Sequence, residues 1–143
     1  MNTNAEASQP SGLHQSVRRA TLVIVFLWFA VGGFAHFRFT AAELSIVPPY
    51  IPWPLAAVYV SGVFELLGAL GILIPRWRPA AGIGLFALTI AVTPANVYML
   101  QRAEQFHVAR WILIARLFFQ VILLGMIWWS TQTKSPRRLT GTG

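Results

Sequence analysis

No cysteine occurs anywhere in the 143 residues. That excludes structural disulfides, thiolate metal sites, iron–sulfur clusters and an intrinsic dithiol relay. Charge is almost as scarce. Only 10% of the residues are Asp, Glu, Lys or Arg, and four are acidic, against about 25% charged in a soluble domain. What stands in their place is apolar, 56% of the chain, so lipid rather than water is the expected main solvent. A net charge of +7 would point to nucleic acid in a soluble protein. Here the bases gather at the ends of apolar runs and make no single basic face, so the expected partner is a bilayer and not a nucleic acid.

Four apolar runs, about 20–37, 55–74, 80–100 and 109–129, each come close to the ~20 residues that cross ~30 Å of hydrocarbon. The spacing predicts an all-α bundle of four transmembrane helices, a membrane domain over 18–130. Residues 1–17, with Pro10, Ser11 and Gly12, and residues 131–143, with Lys134, Arg137 and Arg138, read as disordered tails. The first run, led by Arg18-Arg19, also fits a cleaved signal peptide with Gly33-Phe34-Ala35 as its small-x-small site. Three further spanning runs, and the lengthening by Trp28 and Phe29, favour a retained helix.

Between the first two runs, Thr40-Ala41-Ala42-Glu43 has capping-box spacing, with Thr40 as N-cap, and predicts a short helix over about 41–46. Pro48-Pro49 must stop it, because neither can donate a backbone hydrogen bond. The loop that follows is too apolar for water and is expected to lie in the interface as a lid of Pro48, Pro49, Tyr50, Pro52 and Trp53. Pro79 suits the first turn of the third helix. Trp28, Trp77, Trp111, Trp128 and Trp129 read as an interfacial belt.

Basic residues set the expected orientation. Arg18, Arg19, Arg76, Arg78, Lys134, Arg137 and Arg138 fall on one side with only Glu6 opposing; Arg38, Arg102 and Arg110 face Glu43 and Glu104 on the other. The positive-inside rule then places both termini in the cytoplasm of a bacterial-type inner membrane.

Two charges remain inside. Glu65 is roughly 15 Å down the second helix and Arg116 roughly 10 Å down the fourth. Insertion scales assign each about 2.5–3.5 kcal/mol near a helix centre, so neither should face lipid alone. An ion pair between them is the economical expectation; a protonated Glu65 is the alternative. Thr89, Thr93 and Asn96 recur at i, i+4 and i+7 as one polar stripe. Pro94 interrupts that helix and frees the Ile90 carbonyl. Gln120 lies one turn from Arg116, and His36 sits near the outer end of the first helix above Gly32-Gly33. Together His36, Glu65, Thr89, Thr93, Asn96, Arg116 and Gln120 outline an intramembrane polar pocket. The alternative reading is polar glue between helices. A haem between His36 and His107 is less favoured, because His107 sits in a loop that does not fix its direction. No metal site is expected.

The segments Gly33-Phe34-Ala35-His36-Phe37, Ile46-Val47-Pro48-Pro49-Tyr50-Ile51-Pro52-Trp53-Pro54, Ser61-Gly62-Val63-Phe64-Glu65-Leu66-Leu67-Gly68 and Pro94-Ala95-Asn96-Val97-Tyr98-Met99 resemble the DoxX family of small four-helix membrane proteins. Arg116-Leu117-Phe118-Phe119-Gln120 also fits. The resemblance spans most of 20–125 and implies a link to membrane electron transfer, including a thiosulfate:quinone oxidoreductase, and in distant relatives to maturation of redox enzymes. It picks out His36, Glu65, Asn96, Arg116 and Gln120. The cysteine-and-quinone chemistry of a related four-helix fold cannot carry over to a chain without cysteine. Three functions follow as expectations: a redox-associated accessory subunit with a quinone-binding pocket in a larger membrane or redox complex, a non-enzymatic scaffold or assembly factor, and a proton-coupled transporter of a small solute. The residues name a site but no reaction.

Overall fold

The computed structural model describes residues 12–132, which form helices and connecting turns with no strand among the described residues. In chain order these are α1 (Gly12–Arg38), α2 (Thr40–Ser45), α3 (Pro54–Leu73), α4 (Arg78–Ala91), α5 (Thr93–Gln101) and α6 (Arg110–Thr131). Four spans, Gly12–Arg38, Pro54–Leu73, Arg78–Gln101 and Arg110–Thr131, are long and apolar enough to cross a membrane. The chain is an all-α integral membrane protein.

α1 packs on α3, α3 on α4, α4 on α6 and α6 back on α1, so α1 and α4 are diagonal, as are α3 and α6. Gly12 and Gln132 lie at one end of the bundle, the tail end, and α2 lies at the other, the lid end. Exposed apolar side chains such as Val31, Phe34, Phe64, Leu67, Phe118 and Val121 coat the outside, as hydrocarbon solvent requires.

Several boundaries differ from the sequence expectation for physical reasons. Residues 12–17, expected in a disordered tail, continue α1; residues 1–11 and 133–143, the remainder of the expected tails, lie outside the described residues. α6 runs on through Ser130 and Thr131, both fully buried. Their hydroxyls donate back to Met126 O at 2.6 Å and Ile127 O at 2.7 Å, so the polar groups satisfy themselves without ending the helix. Arg18 then closes α6, its Nε donating to Ser130 O and its Nη2 to Gln132 O, both at 3.0 Å. Arg78 Nε does the same for α3 at Ile72 O, 2.7 Å. These are the carbonyls a helix C-terminus leaves unpaired.

The capping box does not form. Thr40 is the first residue of α2, Phe39 takes the cap position, and no side chain caps it. Thr40 Oγ1 instead donates to His36 O at 2.8 Å and Phe37 O at 3.1 Å, serving the end of α1 and leaving Glu43 free for another role. The third span breaks at Val92, with Pro94 in the first turn of α5, where its missing N–H costs least.

α1 and α3 approach closely at Gly33 and Gly62. A Cβ on Gly62 would lie 2.8 Å from His36 Cβ and 3.1 Å from Gly33 O, so side chains larger than hydrogen would force the helices apart. This contact places His36 beside α3. Cβ bonds on a helix tilt toward its N-terminus, so the His36 ring reaches back along α1 to the depth of Glu65.

Candidate functional site

The lid half of the bundle encloses a cavity of about 840 Å³. It exists because α5, beyond the break at Val92, packs against α6 and the end of α4 but is not seated along α1 or α3. Of the seven expected pocket residues, His36, Glu65, Thr89, Asn96, Arg116 and Gln120 line it. Thr93 does not, but its hydroxyl accepts from a residue that does. The rest of the wall is mainly apolar and includes Trp28, Phe119, Val47 and Val58.

The polar groups fall into two clusters on opposite sides. On the α4–α5–α6 side, Gln120 is the hub. Its Nε2 donates to Thr93 Oγ1 at 2.7 Å and to Thr89 O at 3.3 Å, while its Oε1 accepts from Asn96 Nδ2 at 2.5 Å. Thr93 Oγ1 donates to Thr89 O at 3.2 Å, and Thr89 Oγ1 to Leu85 O at 2.7 Å. The carbonyl recruited at the Pro94 break is therefore that of Thr89, not the expected Ile90. At Thr93 the hydroxyl supplies a bond to that carbonyl, and Gln120 supplies a second.

On the α1–α3 side, His36 Nε2 lies 3.5 Å from Glu65 Oε1 and His36 Nδ1 lies 3.9 Å from Glu43 Oε2. Nδ1 is buried without a hydrogen-bond partner. Glu65 rests over Gly32, where a Cβ would come within 2.7 Å of its Oε2; glycine there is what makes room for the carboxylate. Among the described residues no three His, Asp or Glu form a metal-binding group. Both ring nitrogens of His36 point toward carboxylates, whereas His107 is exposed in the α5–α6 loop with φ of 51°.

The expected Glu65–Arg116 ion pair is not made. α3 and α6 stand diagonally across the cavity, while His36 is on a neighbouring helix and within reach. Arg116 is exposed, and the hydrogen bond found for its guanidinium is from Nη1 to Met99 Sδ at 3.7 Å, a weak acceptor. It therefore presents unused donors to the cavity it lines.

The lid is also rearranged. Pro48 is fully buried and lines the cavity, with Ile46, Val47 and Ile51 beside it. Pro49, Tyr50, Pro52 and Trp53 face away, Trp53 with 80% exposure and φ of 51°; Tyr50 borders a shallow groove with Thr93 and Tyr98. Trp28 leaves the expected interfacial belt. It lies mid-helix, about 15 Å from the lid end of α1, with its ring centroid 4.7 Å from that of Phe119 on the cavity wall. Trp77, Trp111, Trp128 and Trp129 are exposed near helix ends. Beyond the aliphatic wall, the acid Glu43 and the aromatics Trp28 and Phe119 line the cavity and were not among the expected pocket residues. The single charge of Glu43 on a short amphipathic turn was the available signal.

A family model described as Domain of unknown function (DUF8561) matches residues 25–132. The chain belongs to that family. No curated protein and no solved structure matches it. The DUF8561 match takes in the lid, both polar clusters and all seven expected pocket residues, and omits the part of α1 that carries Arg18. In this DUF8561 chain the unit that matches is the one that builds the cavity.

Proposed function

We propose that this is a DoxX-type, redox-associated accessory protein of a bacterial-type inner membrane, with both termini cytoplasmic, whose cavity binds the head group of a quinone. The observation that carries the reading is an apolar cavity with hydrogen-bonding groups on opposite walls and free guanidinium donors on the α6 wall. Small-molecule sites typically have about 300–1,000 Å³ and mostly apolar walls with a few placed polar groups. A quinone ring has two carbonyl acceptors on opposite edges and two flat faces. Arg116 and the second amide hydrogen of Asn96 supply donors for one edge, the Glu65 carboxyl beside His36 faces the other, and Trp28 and Phe119 offer aromatic surfaces for the ring. Ile24, Leu27 and Val31 line the cavity while remaining half exposed or more, in keeping with an isoprenoid tail that leaves between helices into hydrocarbon. A chain without cysteine has no dithiol to exchange electrons with that quinone, so the reading assigns binding and hand-over to a partner oxidoreductase.

The test is saturable quenching of tryptophan fluorescence by a short-chain quinone, with extraction of the purified protein for retained quinone. Trp28→Phe should remove most of the quenching without abolishing binding, and Arg116→Leu should weaken binding by about tenfold, the worth of one charge-assisted hydrogen bond. Protein that retains no quinone and shows only linear, unsaturable quenching overturns the proposal.

A further inference from the structure

We infer that Glu43, His36 and Glu65 form a proton relay that connects the lid surface to the interior of the cavity. It gives the ligand reading above a route for protons and rests on that reading for its purpose, though not for its test. Three side chains from α2, α1 and α3 stand in a row, carboxylate, imidazole, carboxylate, with each ring nitrogen facing one acid. Side-chain exposure falls along the row from 27% at Glu43 to 14% at His36 and 13% at Glu65. All three line the cavity; Glu43, on the short lid helix, is the most exposed, and His36 and Glu65 are about equally buried behind it. A helix-gluing histidine would bond through both nitrogens. Here Nδ1 is buried and unpaired, with a carboxylate oxygen 3.9 Å away, just beyond hydrogen-bond length.

The remaining charged groups nearby do not interrupt the row. Arg38, on the same helix as His36, lies over the Phe39 ring with 5.4 Å to its centroid. Arg116, across the cavity on α6, contacts Met99.

The step balances without a co-reactant. The Glu43 carboxyl gives its proton to Nδ1 as Nε2 gives its own to the Glu65 carboxylate. One O–H and one N–H bond break, one N–H and one O–H form, and the imidazole stays neutral in its other tautomer until the ring turns or the proton returns. One proton has then moved from the lid surface to Glu65, which borders the cavity over Gly32. This is the work for which a neutral imidazole, with one donor and one acceptor nitrogen, is suited.

The experiment is a rapid pH drop on the full-length protein in lipid nanodiscs without added quinone, read by infrared spectroscopy at the carboxyl band lost in Glu65→Gln. Protonation of Glu65 should slow about a hundredfold or more in Glu43→Gln and in His36→Gln, the low end of what a positioned acid–base group provides. Glu43→Asp should keep most of the rate. Wild-type kinetics in Glu43→Gln overturn the relay. So does faster protonation, the signature of a variant that loosens the lid and floods the cavity. The measurement needs no ligand, so a failure of quinone binding leaves it standing, and Glu43→Gln can refute the relay while quinone still binds.

Discussion

The tail half and the lid half of this bundle are built from the same spans and follow opposite rules. In the tail half, Val25, Ala69, Ile72, Leu85 and Ile127 pack with 0–1% exposure, joined by Phe29 and Leu123 where the cluster meets the cavity, and two arginines close the C-termini of α3 and α6. In the lid half the third span turns aside at Val92, the helices part, and the gap is lined by amides, hydroxyls and ionisable groups. Lipid gives no hydrophobic drive to helix association, so packing must hold the bundle together. A protein that gives up packing in one half must concentrate it in the other. The break beside Pro94 marks the divide.

Truncation should expose that division most sharply. Leu85→Ala empties a fully enclosed site against α3, and a Leu→Ala change in a packed core costs about 2–5 kcal/mol. Ile51→Ala removes similar volume from a half-buried lid residue that already faces open space, where fewer neighbouring atoms are lost; about 1 kcal/mol is expected. Equilibrium unfolding in mixed detergent measures both, and equal losses would show that the two halves are packed alike.

Next in size is the polar hub of the lid half. Gln120→Leu keeps the volume but strands the Asn96 amide, which is buried, and removes the bonds to Thr93 and Thr89. Interhelical polar contacts in membranes average about 0.6 kcal/mol, and an unsatisfied buried donor adds about 1–3 kcal/mol. A loss of about 1–2 kcal/mol is expected in the same unfolding measurement, and quinone affinity should fall with it. Unchanged stability would mean that α5 is held by something other than this hub.

How much of this was legible in the sequence follows from the kind of rule involved. The four spans came from length and hydropathy, which act locally and are strict in lipid. The pocket membership of His36, Glu65, Asn96 and Gln120 came from depth along each helix, since each polar group had to avoid lipid. Pairing did not come through. Glu65 and Arg116 matched in depth and sign, but which helices are neighbours decides partners, and depth carries no information about that order. Nor did the role of Glu43, whose spacing fitted a local cap until Thr40 bonded backward to His36. Trp28 was read from the general preference of its type, while its mid-helix position against Phe119 depends on the angle between α1 and α6.

The smallest expected effect tests whether the lid half is tuned for chemistry more than for strength. Gly32→Ala and Gly62→Ala add the same methyl group on facing helices. At Gly62 the new atom meets His36 Cβ and the Gly33 carbonyl, neither of which can move unless α1 and α3 separate, so about 1–3 kcal/mol should be lost to overpacking. At Gly32 it meets only the carboxylate end of Glu65, a flexible tip that can swing away. Stability should then change by less than about 0.5 kcal/mol, yet Glu65 must leave its place 3.5 Å from His36 Nε2. The imidazole nitrogen resonances of His36 should report that displacement. A variant with native stability and unaltered His36 resonances would show that Glu65 does not depend on the notch, and that Gly32 serves packing alone.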